Sequence, residues 1–276
     1  MKSDLRATLL RSLAIVMLGI WSLGPILLIV LSSFRPERDI FSPARRFNLD
    51  VTFDNYTQLF AAFPQFLPNM GNSLIVALGA TALAVTTSTL AGYVYSRQRG
   101  RLLAASAFFA ILVRLVPPIV VSLPLFPIAD ALKLSDTHIL LIVLYSAFWV
   151  SMLSVMMKVF IDQIPPTLDE AARVDGASTT QTFLRIVLPL ATAGMIAGGI
   201  FVFVYAWNEY LFAFIFSSTR AVTAPLIVSN IMDSVAGTQW GVLFAAATLQ
   251  LTPVLALVIF FQKFLVAGLM AGSVKG

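Results

Sequence analysis

The sequence predicts an all-α integral membrane protein with six transmembrane helices. Of its 276 residues, 59% are hydrophobic and only 11% are charged, whereas a soluble domain carries roughly 25% charged residues. The apolar residues also fall into runs long enough to cross the roughly 30 Å hydrocarbon core of a bilayer as helices. These runs are Leu13–Leu31, Ser73–Ser96, Leu102–Leu125, His138–Met157, Ala193–Ser217 and Val242–Phe264.

The arrangement of the runs indicates a single transmembrane domain over residues 1–276. It would contain an N-terminal helix at about 13–31, a core at about 70–264 and a polar connecting loop at about 160–189. Basic residues precede the first run, as in a secretory signal peptide, but the run is longer than a signal peptide needs. The following Ser32-Ser33-Phe34-Arg35 offers no persuasive cleavage site. We therefore expect the first helix to be retained.

The distribution of lysine and arginine predicts the orientation, because basic residues near helix ends concentrate on the cytoplasmic side. With both termini in the cytoplasm, eleven loop residues are inside, namely Lys2, Arg6, Arg11, Arg97, Arg99, Arg101, Lys158, Arg173, Arg185, Lys263 and Lys275. Six are then outside, namely Arg35, Arg38, Arg45, Arg46, Lys133 and Arg220. Both termini, and the loop at 160–189, are therefore expected in the cytoplasm.

The composition leaves little chemistry for catalysis on this chain. It has no cysteine and one histidine, His138, so we expect no metal site. No H-E-x-x-H or G-x-S-x-G occurs, which argues against an enzyme embedded in the membrane. The phosphate-binding pattern G-x-x-x-x-G-K-[ST] is also missing, so any ATP must bind to another subunit. The net charge of +5 is explained by membrane topology, and no nucleic-acid partner is expected.

The connecting loop begins with a helix start and a glycine. Pro165-Pro166 should end the preceding helix, and Thr167 with Glu170 has the pattern of a capping box in which Thr167 is the N-cap. The helix would run to Gly176, which can adopt positive φ and so change the chain direction sharply. We predict a helix followed by a glycine elbow.

A second helix start follows the elbow. Ser178 and Gln181 form another capping-box pattern, and Pro189 should close the short helix that begins there. This helix would carry apolar side chains outside the bilayer, namely Phe183, Leu184, Ile186 and Leu188. Such an arrangement suits the docking of a partner protein.

These residues resemble a known signature. Glu170-Ala171-Ala172, then Gly176 four residues after Ala172, then Ile186, Leu188 and Pro189, are similar to the signature loop of permeases from binding-protein-dependent ABC importers. Every defining position is matched with the family's spacing. The match also lies in the loop before the fifth of six predicted spans, where the family has it.

Two further stretches resemble the maltose-permease-like, carbohydrate-uptake branch of that family. One is Trp207-Asn208-Glu209-Tyr210 in the fifth run, and the other is the tail Gln262-Lys263-Phe264 with Gly268, Gly272, Val274, Lys275 and Gly276. The resemblance implies a carbohydrate-like solute, such as a sugar, oligosaccharide, polyol or sugar derivative. It extends over most of the chain after the first helix.

The resemblance also implies the partners and the mechanism. A second homologous permease, a dimer of ATPases that binds ATP and magnesium, and an extracytoplasmic solute-binding protein would assemble with this chain in a bacterial inner membrane. The loop would dock in a cleft of the ATPase, so that ATP-driven closure rocks the permeases between inward-facing and outward-facing states. The residues implied in coupling are Glu170, Ala171, Ala172, Asp175, Gly176, Phe183, Leu184, Ile186, Leu188 and Pro189.

Two charged residues lie within predicted spans. Arg114 stands about twelve residues into the third run and Glu209 in the outer half of the fifth, and an intramembrane charge costs several kcal/mol unless it is paired or hydrated. The two side chains could approach each other across the bundle. Contact with solute or gating is one interpretation; a structural ion pair, or snorkelling to the interface, is the other. The sequence leaves both open.

Neighbouring polar and aromatic residues extend this candidate solute pathway. Tyr205, Asn208 and Tyr210 offer hydrogen-bond donors and ring faces suited to a sugar, although packing between helices is the more ordinary role for any one of them. Pro117-Pro118 and Pro124 interrupt the third run, and broken helices commonly line cavities. A self-contained secondary carrier or channel remains the alternative, but it would need no docking loop and should show related halves.

Overall fold

The computed structural model describes residues 2–43, 50–232 and 237–271, and every regular element within these ranges is helical. The α-helices are α1 (Lys2–Ser33), α2 (Glu37–Ile40), α3 (Asp54–Ala62), α4 (Phe66–Arg97), α5 (Arg101–Val113), α6 (Pro118–Ala131), α7 (His138–Asp162), α8 (Thr167–Val174), α9 (Thr179–Thr182), α10 (Leu188–Leu190), α11 (Thr192–Asn208), α12 (Leu211–Phe216), α13 (Ala224–Met232) and α14 (Trp240–Ala271). A π-helical turn, Phe183–Val187, joins α9 to α10. Six residues used above lie outside the described ranges, namely Arg45, Arg46, Gly272, Val274, Lys275 and Gly276.

The described helices account for the predicted membrane spans. Four stretches are long and apolar enough to cross a bilayer unaided, namely Leu10–Ser33, Phe66–Arg97, His138–Asp162 and Trp240–Phe264. Two bent pairs, α5 with α6 and the 179–190 stretch with α11, bring the number in the described chain to six if each pair counts as one span. The 179–190 stretch precedes the predicted fifth span, Ala193–Ser217. The all-α membrane fold is confirmed, and the departures from regular helices occur in the third and fifth spans.

The third span, Leu102–Leu125, is broken at Pro117-Pro118 as predicted, whereas Pro124, which was also expected to interrupt it, lies inside α6. Helices α5 and α6 meet at 95° across the break that follows Val113. Pro117 is the N-cap of α6 and Pro118 its first residue. Proline has no N–H and disfavours helical backbone in the residue before it, so this pair ends one helix and begins another.

The fifth span, predicted as Ala193–Ser217, is likewise interrupted. Helix α11 ends at Asn208, and Glu209 takes an extended conformation with φ −70° and ψ 128°. The Glu209 carboxylate then accepts hydrogen bonds from the N–H groups of Phe212 at 3.0 Å and Ala213 at 3.4 Å. A side chain thus caps the start of α12, where no preceding helical turn supplies carbonyls.

The chain separates into two units. One contains residues 1–67 and 227–253, and the other contains residues 68–226 and 254–276. The predicted organisation as a single domain stays a prediction. The connecting segment and the candidate solute pathway both lie in the second unit, so the functional residues can be described within it.

In the first unit, polar side chains hold the loop after α1 against the start of α14. Glu37 accepts hydrogen bonds from the N–H groups of Trp240, at 2.9 Å, and Gly241. The Asn55 amide donates to the Ser33 carbonyl at the end of α1 at 2.8 Å. None of the residues from Leu10 to Ser32 in α1 is buried within the described chain, which leaves the apolar surface of this helix for lipid or another subunit.

In the second unit, α4, α7 and α11 pack around two apolar clusters. Tyr145 and Trp207, at most 1% exposed, belong to the first cluster, and Met157 with 0% exposure belongs to the second. Helix α11 approaches α7 closely at Gly198, where an added Cβ would collide with Leu153. These contacts give the second unit the rigid framework on which the two candidate sites are built.

Candidate coupling segment and solute pathway

The connecting segment, residues 165–190, starts with α8. Its N-cap is Pro166, whose carbonyl accepts hydrogen bonds from the N–H groups of Asp169 at 3.0 Å and Glu170 at 3.1 Å. Thr167 is therefore already inside the helix, and the predicted capping box between Thr167 and Glu170 is wrong. Pro166 adopts helical angles, φ −59° and ψ −22°, which moves the helix start one residue earlier.

Helix α8 ends in the predicted glycine elbow. Gly176 has a φ of +81°, a backbone conformation that is energetically unfavourable for residues with a Cβ. Its N–H donates to the Arg173 carbonyl at 3.0 Å, and the Ala177 N–H donates to the Ala172 carbonyl at 2.9 Å. This pair of bonds is a Schellman motif, which satisfies two carbonyls at the helix end and reverses the chain direction.

The second helix begins as predicted but ends differently. The Gln181 N–H donates to Ser178 Oγ at 3.3 Å and the Ser178 N–H donates to Gln181 Oε1 at 2.8 Å, so this capping box is confirmed. Pro189 does not close the helix, because it lies in the first turn of α10, which continues to Leu190. A π-helical turn precedes it, with the Leu188 N–H bonded to the Phe183 carbonyl.

The apolar residues of the segment face different environments. Phe183 is 7% exposed and its ring lies 5.0 Å from that of Tyr93 in α4. It therefore packs inside the chain, and the expectation that Phe183 projects towards an ATPase is wrong. Leu184 is 53% exposed and Val174, which sequence analysis did not select, is 88% exposed. These two side chains are available to a partner.

The other residues implied in coupling also divide by burial. Ala172 is buried, and Ile186 and Leu188 are half-buried. The exposed ones are Glu170, Ala171, Asp175, Gly176 and Pro189. On α8 the buried residues Asp169 and Ala172 are three apart, and so are the exposed residues Ala171 and Val174. Helix α8 thus has one face towards the chain and one face away from it.

Sequence analysis missed an ion pair that holds α8. Arg97, the last residue of α4, contacts Asp169 through Nε–Oδ2 at 2.9 Å and Nη2–Oδ1 at 3.4 Å. The two side chains are 10% and 5% exposed. Arg97 also donates to the carbonyls of Ile161 at 3.3 Å and Ile164 at 3.0 Å at the end of α7. One guanidinium thus fastens α8 to two membrane helices.

The candidate solute pathway contains a cavity beside the break in the third span. The cavity has a volume of about 420 Å³, and its lining is mostly apolar but includes Arg114, Ser151 and Ser154. The Arg114 guanidinium carbon lies 5.0 Å from the ring centre of Phe148 and 4.6 Å from that of Trp149. These distances are those of cation–π contacts.

The other predicted pathway residues are only partly brought together. The Tyr205 ring stacks on Phe148 at 5.3 Å and meets Trp149 edge-on at 5.5 Å. Arg114, Phe148, Trp149 and Tyr205 together are called the Arg114 cluster below. No ion pair within 4.0 Å joins Arg114 to Glu209, both of which the structure describes. The Glu209 carboxylate caps α12 instead.

The two polar residues on either side of Glu209 have local contacts. The Asn208 amide donates to the Val204 carbonyl one turn earlier, at 2.7 Å. The Tyr210 ring is 37% exposed and stacks on Phe214 at 5.5 Å. Both residues therefore belong to the break between α11 and α12, and the break determines where their side chains lie.

The helix–elbow–helix and the broken spans can be compared with known proteins. Residues 84–270 match the family described as binding-protein-dependent transport system inner membrane component. This chain belongs to that family. The permease is 34% identical over 275 residues to the trehalose transport system permease protein SugB of Mycobacterium tuberculosis, covering 98% of each chain. It is 32% identical over 268 residues to the sulfoquinovosyl glycerol transport system permease protein SmoH of Agrobacterium fabrum, covering 97% and 94%.

A solved structure shares the fold of the permease. It is a bacterial ABC transporter involved in import of the acidic polysaccharide alginate, with a TM-score of 0.78 and 19% identity over 95% of this chain and 98% of that one. The family match and the two relatives identify the chain as a membrane-spanning permease subunit of an ABC importer, and the alternative of a self-contained carrier is not supported.

Proposed function

We propose that this permease forms half of the translocation pathway for a carbohydrate-like solute delivered by an extracytoplasmic binding protein. The other half would come from a second homologous permease. The relatives named for trehalose and sulfoquinovosyl glycerol transport support the solute class, which includes sugars, oligosaccharides, polyols and sugar derivatives. Since the sequence has no G-x-x-x-x-G-K-[ST], ATP and magnesium would bind to a separate ATPase dimer.

The connecting segment is the proposed site of ATPase docking. It would lie in the cytoplasm, on the side of the inner membrane where both termini are also expected. One observation carries this proposal: α8 is fastened to α4 and α7 by Arg97, while Val174 and Leu184 remain exposed. Exposed apolar side chains on a rigid support are suited to act as interface anchors. A movement of the ATPase bound to Val174 and Leu184 would therefore be transmitted to α4 and α7 through the contacts of Arg97.

The solute pathway would run beside the two helix breaks. Arg114 supplies a cation at the cavity in the third span, and Tyr205 stacks on Phe148, which also lines that cavity. Glu209 fixes the break in the fifth span through its bonds to α12, and Asn208 and Tyr210 flank it. Backbone that departs from regular helix at membrane depth requires protein or water around it, which favours a cavity at these positions.

The docking proposal can be tested with the reconstituted importer. We expect Val174→Asp and Leu184→Asp to reduce co-purification of the ATPase and solute uptake at least about tenfold, because each places a charge in an apolar contact. Val51→Asp is the matched control, since Val51 is 72% exposed in the first unit and lies on the side predicted to be extracytoplasmic. Wild-type ATPase association and uptake in both segment variants would contradict the docking site.

The assembly itself can be tested by mass measurement of the purified complex. We expect two different permeases and two ATPases, with carbohydrate uptake that requires ATP and the binding protein. An assembly that transports its solute without any ATPase would contradict the proposed function and revive the secondary carrier or channel.

A further inference from the structure

The Arg114 cluster contains two buried N–H donors without hydrogen-bond partners. One is Arg114 Nη1 and the other is the indole Nε1 of Trp149, whose ring lies against the guanidinium. Arg114 lines the 420 Å³ cavity and also a neighbouring one of about 390 Å³. Buried donors are normally paired, so Arg114 Nη1 can take an acceptor that the described residues do not supply.

The aromatic neighbours of Arg114 do not fill this capacity. Phe148 and Trp149 contact the guanidinium through their ring faces, which stabilises the positive charge but leaves N–H groups at the edge of the guanidinium plane. No carboxylate of the described chain lies within 4.0 Å of Arg114. Glu209 is already bonded to the N–H groups of Phe212 and Ala213.

The physical chemistry of the site therefore favours an anionic acceptor. Arg114 is half-buried, and a cation within a predicted membrane span is costly unless it is paired or hydrated; a carboxylate offers two oxygens that a guanidinium can bind together. The surrounding walls are mostly apolar, with the Phe148 ring at the cavity edge. A cation beside apolar and aromatic surface suits the carboxylate and the C–H face of a sugar acid, and the volume lies in the range of small-molecule sites.

We propose that Arg114 binds the carboxylate of an acidic carbohydrate, of the uronic-acid class, as it passes through the permease. This inference rests on the proposed function, because it specifies the solute of the same pathway. Arg114 would contribute selectivity for the charged group, whereas the apolar wall contacts the sugar face. The Trp149 ring lies against the guanidinium and stabilises its positive charge.

The test uses the complete importer in proteoliposomes and matched neutral and acidic sugars. The probes are glucose with glucuronate, galactose with galacturonate, and digalactose with digalacturonate. The readout is the ratio of acidic to neutral uptake, with affinity of the binding protein for each probe measured separately. We expect wild type to favour an acidic probe, and Arg114→Gln to lower the ratio at least about tenfold, as for loss of a charge-assisted contact.

Two further variants make the result decisive. Arg114→Lys keeps the charge but loses two-point binding, so the ratio should fall less than in Arg114→Gln. Arg99→Gln, at an exposed arginine outside the proposed pathway, should leave it unchanged. If Arg114→Gln does not assemble, Arg114→Lys decides, and an unchanged ratio in that variant overturns the inference.

The remaining outcomes separate the inference from the proposed function. Uptake of neutral probes alone overturns the role of Arg114 and leaves carbohydrate import intact. Absence of ATP-driven uptake of every acidic probe overturns the inference, whereas the carbohydrate function is contradicted only if no sugar, oligosaccharide, polyol or sugar derivative is imported. A loss of two-permease complexes in Arg114→Gln, together with an unchanged uptake ratio in Arg114→Lys, would instead assign Arg114 to a carboxylate of the second permease and overturn the inference.

Discussion

Arg97 and Asp169 form a two-point ion pair although they are 72 residues apart in the sequence. Both side chains are at most 10% exposed, so solvent screens their interaction weakly. The Tyr93 hydroxyl donates to the same carboxylate at 3.5 Å. The pair makes the position of α8 depend on side-chain contacts with α4, not on the length of the loop that precedes it.

Loss of this pair should uncouple ATP hydrolysis from transport. Asp169→Asn removes the charge opposite Arg97, and breaking a buried pair costs on the order of 3–5 kcal/mol. We expect assembled complexes that hydrolyse more ATP per solute molecule imported, because α8 can move without its membrane helices. The ratio is measured in proteoliposomes from uptake and phosphate release.

The exposed pair Lys158–Asp162 provides the control for that experiment. Each of its side chains is 41% exposed, and exposed pairs contribute roughly 0–1 kcal/mol. Lys158→Gln should therefore retain the wild-type ratio. If Asp169→Asn also retains it in fully assembled complexes, the ion pair has no part in transmission.

Replacement of Gly176 tests the elbow. An added Cβ has nothing within 4 Å, so the penalty for Gly176→Val comes from the φ of +81° and should be roughly 1–3 kcal/mol. We expect normal membrane insertion but reduced ATPase association and uptake. Gly100→Val is the control, because Gly100 has an extended φ of 175° and open space around it. Equal uptake by the two variants would argue against a strained elbow.

The elbow and the second capping box could be predicted because their causes are local. Gly176 bonds to a residue three positions earlier, and Ser178 with Gln181 completes its box within one turn. Spans were predictable for a similar reason, since a run of apolar residues is itself the condition for crossing lipid. The sequence predicted a helix break only where proline is present, as at Pro117-Pro118 in the third span, and not at Glu209 in the fifth.

The remaining features depend on partners distant in sequence. Nothing near Phe183 indicates that Tyr93 in another helix covers it, whereas Leu184, one residue later, is exposed. Arg114 and Glu209, both described in the structure, form no ion pair within 4.0 Å, because backbone N–H groups beyond the helix break are the partners of Glu209. Side-chain pairing across helices requires the packing to be known.

The neighbouring residues Phe183 and Leu184 should respond oppositely to truncation. Phe183→Ala removes a buried ring and should destabilise the permease by about 3–5 kcal/mol, measured as a lower melting temperature of the purified complex. Leu184→Ala should leave the melting temperature of the isolated permease pair unchanged but weaken its binding to the ATPase. The reverse pattern would restore Phe183 as the exposed anchor.

Asp136 should make the loop between α6 and α7 sensitive to acid. Burial alone would raise the pKa of this carboxyl, but hydrogen bonds from the N–H groups of Ser218, Arg220 and Ala221 and from Thr219 outweigh it and hold the pKa well below its ordinary value. A lowered pKa contributes stability that is present above the unfolded value, about 3.9, and is lost as pH falls towards the folded value.

Asp136→Asn should accordingly lower the melting temperature at pH 7, with a difference from wild type that shrinks below about pH 4. The exposed Asp130 in α6 allows a matched control, and Asp130→Asn should show a smaller effect at pH 7. Thermal unfolding between pH 7 and pH 3 gives the comparison. A difference that stays constant down to pH 3 would contradict the electrostatic origin.

The Glu209 carboxylate has either a structural role, as the cap of α12, or a role in binding solute, and two substitutions distinguish these roles. Its side chain is buried, at 8% exposure, and accepts hydrogen bonds from the N–H groups of Phe212 and Ala213. Glu209→Gln keeps one acceptor oxygen for these donors, whereas Glu209→Ala leaves them unpaired at a cost of about 1–3 kcal/mol. We therefore expect near-normal uptake and stability for the glutamine variant, and loss of both for the alanine variant. If Glu209→Gln abolishes uptake while the complex melts at the wild-type temperature, the negative charge itself acts on the solute.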